Sequence, residues 1–418
     1  MVQNEGEKMI RTFLDKHTKL KKLAITLYST ASRLKHGFPT CTNNVLRIVP
    51  KDSYEYFFGY YDKSPWNISE SKMLGLRVKS TLKSTASSET AEIVLIDVRS
   101  KEIQVIAKTN AWNVQQGCML QWMGPTYDRY IIYNDYRENK LCAVVLDLDA
   151  KSERKICEPI YSIDAQGRYA YTLDFYRLQR LRPGYGYCNE EDKYKNVDLP
   201  SDFCIKRIDV KKNESKGIIS YKMLYDLDKK ESMIGAQHKI NHIMISPNGK
   251  RIMFIHRWKN ENGGYSRLIA SNIDGSNMVI VSDEMFVSHC IWVDNRKILG
   301  YVQKGGKRGY YIMDSFTGEY THIWKELSMD GHPSVYSLSG VSITDTYPNR
   351  NRMASIFMID KKGKITKVVE CFSPTKYFAE YRCDLHPRFS RDGKKICFDS
   401  THEGKRAMYI VNLPPVEE

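Results

Sequence analysis

From residue 40 onward the chain repeats one pattern: an apolar run, a turn carrying Asn-Gly or Asp-Gly, a second apolar run, a polar gap, and a third apolar run ending in Asp. The clearest copies are HIMISPNGKRIMFIHR followed by SRLIASNIDGSNMVIVSD, and HPRFSRDGKKICFDSTHEGKRAMYIVNL near the end. Asn-Gly and Asp-Gly supply the positive φ that tight hairpins require. Five weaker copies begin near Tyr61, Gln116, Ile160, Val287 and Gly331, which makes seven. Their spacing is about 40–50 residues, widened once by an insertion around residues 180–203, and a period in this range with short strands marks a β-propeller. The expected fold is therefore all-β: a seven-bladed propeller over residues 41–418, preceded by an α-helix within residues 1–40. The last copy shows only three strands, and VLRIV at residues 45–49 is a strand without a hairpin partner. Pairing the two closes the ring and removes an exposed edge.

Composition agrees with a strand-rich chain. Tyr outnumbers the other aromatics, 28 against 14 Phe and 6 Trp, and Tyr suits half-buried strand surfaces. A hydrophobic fraction of 42% excludes a disordered chain. No apolar run is long enough to span a membrane, and the first 30 residues lack the apolar core of a secretory signal. The ten Cys include no CxxC pair and several lie inside strand-like runs, so they read as buried thiols of a cytoplasmic protein. With 64 Lys and Arg against 49 Asp and Glu, the net charge of +15 favours a polyanionic partner without choosing one, or serves solubility alone. Apolar residues Ile10, Phe13, Leu20, Ala24, Leu27, Ala31 and Leu34 form one stripe of a basic helix, which Gly37 and Pro39 end. Such a helix packs on the propeller or lies on an anionic membrane surface, peripheral at the inner membrane face.

Aligning the repeats brings histidines into phase. His242 and His386 each stand seven residues before a turn glycine, Gly249 and Gly393. His289 precedes Trp292 by three residues, as His386 precedes Phe389, and His332 is displaced by one. Four consecutive blades thus place an imidazole at the start of the innermost strand, where the four converge at one mouth of the channel. Clustered imidazoles are the usual ligands of a divalent transition metal, here manganese or zinc. Asp384, Cys383 and His238 are close enough in sequence to join them. The plain alternative is that each His hydrogen-bonds its neighbouring blade.

GYYDKSPWN, QQGCMLQW, IIYND, RPGYGY, HRW, VSHCIW, TDTYP and CDLHPRFSRDGKKICFDSTHEG together resemble a bacterial propeller family related to polysaccharide lyases, namely the ulvan lyases and, more distantly, oligogalacturonate lyase. The resemblance runs from about residue 55 to residue 413. It implies β-elimination of uronate-containing oligosaccharides, which needs a cation at the carboxylate, a base for the C5 proton and an acid for the leaving oxygen. His289, His332 and His386 look like that family's metal ligands. No His occurs between His36 and His238, where the resemblance places a catalytic pair; Gln115 and Gln116 stand there instead, and an amide is no base. Tyr161, Arg177, Gln116 and Tyr187 are the catalytic candidates. Arg180, Arg182, Tyr185 and Gln115 are the candidates for substrate contact, with Arg geometry suited to carboxylates. The same Tyr-rich, Arg-rich stretch also reads as an ordinary solvated loop.

Two functions lead. One is a metal-assisted lyase of acidic carbohydrate; the other is a non-lytic protein of surface or capsule polysaccharide assembly, associated with a glycosyltransferase. No Gly-rich phosphate loop is present, and Asp triplets such as Asp147-Leu148-Asp149 fall at strand ends. A propeller interaction scaffold explains less, because it does not need the phased histidines. Nucleic-acid binding ranks last, since the basic residues are not interleaved with aromatics.

Overall fold

The computed structural model describes residues 18–36, 40–82 and 89–415. It is a ring of seven four-stranded sheets, the propeller that the repeats predict. Blades one to six each use four consecutive antiparallel strands, and in blade three the insertion with its helix Phe175–Leu181 separates the second strand from the third. Blade four is the most regular, with Gln237–Ile245 innermost, then Arg251–Asn260, Gly263–Asn272 and Val279–Ser282. The first strands of successive blades contact one another around the axis, which makes them the channel wall. In blade seven the strands Arg388–Phe389, Lys395–Ser400 and Ala407–Asn412 are completed by Leu46–Arg47, with Leu46 opposite Ile410 and Arg47 opposite Tyr409.

The strand-end aspartates are turn caps. Asp97, Asp147 and Asp314 each accept two backbone N–H groups from the turn that follows. This local bonding competes with strand continuation and stops each hairpin at a fixed length. The triplet at Asp147 is therefore structural.

Two close approaches join distant sequence motifs. Gly59 has φ +135°, and a Cβ there would lie 2.7 Å from the Gln116 carbonyl oxygen. At Gly331 a Cβ would lie 1.8 Å from the Asp345 carbonyl oxygen. Only glycine permits these contacts between blades one and two and within blade six.

The N-terminal helix is observed over Thr18–His36; residues 9–17 of the expected helix lie outside the described residues. Leu20, Leu23 and Leu27 stand exposed, so this part of the apolar stripe is not packed against a blade. No described helix is long and apolar enough to cross a membrane.

His238, named above with the metal candidates, lies elsewhere: its Nδ1 is 2.8 Å from Nε2 of His256 on the neighbouring strand of blade four. Both rings are buried without a carboxylate, and Arg267 Nε reaches His256 Nδ1 at 3.3 Å. Burial pushes His238 down to about 4 and holds His256 well below the ordinary imidazole range. Above the unfolded pKa of about 6.5 both states are neutral and folding loses nothing. As pH falls towards 4 the unfolded chain takes up protons that the folded chain refuses, so stability drops. For His238 the loss is on the order of 3 kcal/mol by pH 4. Urea unfolding between pH 7 and 4.5 is expected to show this decline, with a shallower slope in His238→Gln.

Candidate metal centre

Four imidazoles from consecutive blades meet in the channel. Ring centroids lie 5.5 Å apart for His242 and His289, 3.9 Å for His289 and His332, and 4.3 Å for His332 and His386. All four are at most 1% exposed. The inner strands bend to deliver them: register shifts interrupt the ladder between Asn241 and Met244 and between Val287 and Cys290. His242 and His386 hold left-handed backbone, φ 56° and 45°, which side chains other than glycine seldom adopt.

Three of the rings are oriented from behind. His289 Nδ1 faces Asp330 Oδ1 at 3.2 Å, His332 Nδ1 faces Asp345 Oδ1 at 2.8 Å, and His386 Nδ1 faces the Gly59 carbonyl oxygen at 2.9 Å. Asp345 also accepts the backbone N–H groups of His332 and His386, at 2.8 and 2.9 Å. In front, the Nε2 atoms of His289, His332 and His386 are buried with no hydrogen-bond partner. A buried polar atom left unpaired is costly, and three in neighbouring rings fit a bound cation. Ligand atoms of His332, Asp384 and His386 lie within 4.8 Å of one another. Imidazole with carboxylate suits a first-row divalent ion, and acceptors behind the imidazoles are what such sites use to fix the tautomer.

Burial holds His242, His289 and His386 far below the ordinary imidazole pKa, so their nitrogens are neutral. At His332 burial acts the same way, but the Asp345 carboxylate outweighs it and the pKa is raised. His242 differs from the other three, because its Nε2 bonds the Tyr60 hydroxyl while Nδ1 is left unpaired. Tyr60 and Tyr61 stand among the imidazoles, with the Tyr60 ring 5.1 Å from both His242 and His386 and the Tyr61 ring 5.2 Å from His332. The Tyr61 hydroxyl is fixed by the Cys290 backbone, donating to its oxygen at 2.7 Å and accepting from its nitrogen at 3.0 Å. Arg388 Nε holds the Tyr60 carbonyl at 3.0 Å. Cys383 stays apart from the ligand set, its buried thiol 3.8 Å from the Asp384 carbonyl oxygen.

The other sequence candidates divide. Tyr161 borders the centre: its hydroxyl accepts from Gln116 Nε2 at 2.8 Å and from the His242 backbone N–H at 3.1 Å. The hydroxyl of Tyr185 accepts from Arg382 Nη2 at 2.6 Å, and the Arg182 guanidinium lies 4.0 Å from the Tyr185 ring centre. Arg177 requires correction, because it is wholly buried and its guanidinium is consumed by the carbonyls of His238, Tyr194, Val197 and Asp198. It staples the blade-three insertion to blade four and cannot clamp a substrate. Arg180 is likewise engaged, with Asp192 and Gln237. Gln115 donates to the carbonyls of Glu380 and Arg382, and Tyr187 accepts from Asn134; both are buried framework.

Three cations were missed in the sequence or only partly seen. Lys239 and Arg257 are opposite one another on adjacent strands of blade four, and Arg182 reaches them from the insertion. Among the described residues none of the three has a carboxylate within salt-bridge distance. Burial, then the two arginines, pushes Lys239 down to about 6; burial, then Arg182, pushes Arg257 down to about 10. Arg257 lies in the HRW motif, but nothing in the sequence shows that it faces the channel.

No family model matches the chain, and no curated protein matches it by sequence. Solved structures do. Oligogalacturonate lyase from Vibrio parahaemolyticus superposes with a TM-score of 0.62 at 14% identity, covering 88% of this chain and 93% of its own. An oligogalacturonate lyase in complex with manganese gives a TM-score of 0.64 at 19% identity, with the same coverage of both chains. The chain is thus similar in fold to these propeller lyases over nearly its whole length.

The two arginines of the insertion are expected to behave differently when removed. Arg177→Ala leaves four carbonyls without their donor and Asp192 with Arg180 alone, and is expected to cost roughly 3–5 kcal/mol in a denaturant titration. Arg182→Ala is expected to leave stability nearly unchanged and to raise the Lys239 pKa, read by NMR of a methylated Lys239.

Proposed function

We propose that the protein binds a divalent metal at His289, His332, His386 and Asp384 and acts on uronate-containing oligosaccharides by β-elimination. The observation that carries this reading is the set of three adjacent, unpaired Nε2 atoms, each ring fixed from behind. Likeness to structures of oligogalacturonate lyase, one with manganese, supports it. A bound metal supplies positive charge at the uronate carboxylate, which acidifies the C5 proton.

The chain's own groups supply the rest. Arg182, Arg257 and Lys239 repel one another and lack a carboxylate, so an anionic sugar relieves their mutual repulsion. Arg182 and Arg257 offer planar donors that match a carboxylate. The Tyr60–His242 pair shares one hydrogen bond between phenol oxygen and Nε2, and this is where a proton is held or moved. Tyr161 accepts two hydrogen bonds and keeps its own O–H, and burial raises its pKa, so it remains protonated and serves as the acid for the leaving oxygen.

A second reading has its own support. All four imidazoles are almost inaccessible, and Tyr185, bonded to Arg382, packs edge-on to Tyr60 with ring centroids 6.4 Å apart. In that reading the metal only braces the ring, and the cations bind acidic glycan without cleaving it, as in polysaccharide assembly.

The test is to incubate the manganese-loaded protein with oligogalacturonate and other uronate oligomers and to follow the absorbance of the unsaturated product. The lyase reading expects activity that Tyr161→Phe lowers roughly 10²–10⁴-fold and that His332→Ala or His386→Ala abolishes together with bound metal. Glycan binding without product on any uronate oligomer, with metal present, would establish the second reading. Absence of metal after purification without chelators would sink both.

A further inference from the structure

A second cluster of reactive side chains lies where blades six and seven meet. The N-terminal segment runs beside the outer strand of blade six, Ile365–Phe372, before it supplies Leu46–Arg47 to blade seven. Cys41 pairs there with Cys371 in an antiparallel bridge. The flanking bonds are Thr42 N–H to the Glu370 oxygen and Phe372 N–H to the Thr40 oxygen, both 2.9 Å. This pattern makes the cysteines a directly opposed, non-hydrogen-bonded pair, the closest arrangement that an antiparallel ladder offers. Its Cα separation of roughly 4.5 Å falls inside the range that a disulfide spans. The sulfurs are 3.0 Å apart, so bond formation needs a side-chain adjustment and no shift of register.

The two thiols differ. Cys41 is half-buried and Cys371 is 1% exposed. Hydrogen bonding from Cys371 lowers the Cys41 pKa, while the same contact and then burial raise that of Cys371. The reachable sulfur is thus also the readier nucleophile.

We propose that Cys41 and Cys371 are a thiol–disulfide pair that a low-molecular-weight disulfide oxidises, clasping the N-terminal segment to blade six. The Cys41 thiolate attacks one sulfur of glutathione disulfide, forming a mixed disulfide and releasing one glutathione thiolate. Cys371 then loses its proton to water and attacks the Cys41 sulfur, expelling the second glutathione thiolate. Two protein thiols are oxidised and one glutathione disulfide is reduced to two glutathiones. The closed loop spans most of the chain, so the bond restricts the unfolded state strongly. It also fastens the segment that completes blade seven.

The test uses the full chain equilibrated in glutathione buffers from reducing to oxidising, quenched by alkylation and mapped by peptide mass. The expected result is a Cys41–Cys371 peptide pair lighter by two hydrogens, with the other eight cysteines alkylated after denaturation. The oxidised protein is expected to melt several degrees higher than the reduced form, a rise missing in Cys41→Ser. Persistence of both thiols at every ratio, or a glutathione adduct on Cys41 that Cys371 never resolves, overturns the proposal. So does a cross-link that leaves the melting temperature unchanged. His402 has a ring nitrogen within 4.8 Å of both sulfurs; zinc that shields Cys41 from alkylation and is lost in Cys41→Ser would show a metal site and also overturn it.

Discussion

The Asp345 carboxylate, buried at the end of the second strand of blade six, organises the channel. One oxygen takes the Nδ1 and backbone N–H of His332, and the other takes the backbone N–H of His386 in the next blade. Two imidazoles from different blades are therefore set by one rigid group, and their Nε2 atoms face the same space. Were the carboxylate absent, the backbone turn at His386 would lose its acceptor and the left-handed conformation there its support. The raised pKa of His332 has the same origin, so cation binding at that ring competes with a proton that Asp345 helps to hold.

The channel also sets neutral and charged groups apart. Burial keeps three of the imidazoles uncharged, as ligands must be, while Arg182, Arg257 and Lys239 gather beside them without a counter-charge. A structural network would be expected to pair these cations, as Asp399 does with Arg388 and Arg406 in the core. Leaving three unpaired costs stability, and functional sites are where proteins accept such a cost.

The fold was legible because its information is local and repeated. Short apolar runs split by tight turns recur seven times, with Asn-Gly or Asp-Gly marking the clearest copies, so errors in one copy are corrected by the others. The phase of His242, His289, His332 and His386 was legible for the same reason, since equivalent positions in a rotational repeat face one axis. Tyr60 and Tyr61 were hidden because they lie between the strands of blade one, where the repeat carries no histidine to mark a channel-facing position, although GYYDKSPWN contains them. Arg177 misled because composition cannot distinguish a guanidinium aimed at solvent from one aimed at four carbonyls. His238 misled similarly: it stands four residues before His242 on the same strand, but its ring is bonded to His256.

Ring closure bears on how the molecule is made. His386 and Asp384 belong to the last blade, and Arg388, which fixes Tyr60, follows them by a few residues. A nascent chain that has emerged only through blade six has its first tyrosines and three of its four imidazoles, but lacks His386, Asp384 and the Arg388 bond that fixes Tyr60. The outer strand of blade seven, Leu46–Arg47, precedes all the other blades in the chain. Assembly of the centre therefore waits for blade seven, whose sheet joins residues 46–47 to residues 388–412 across the whole ring.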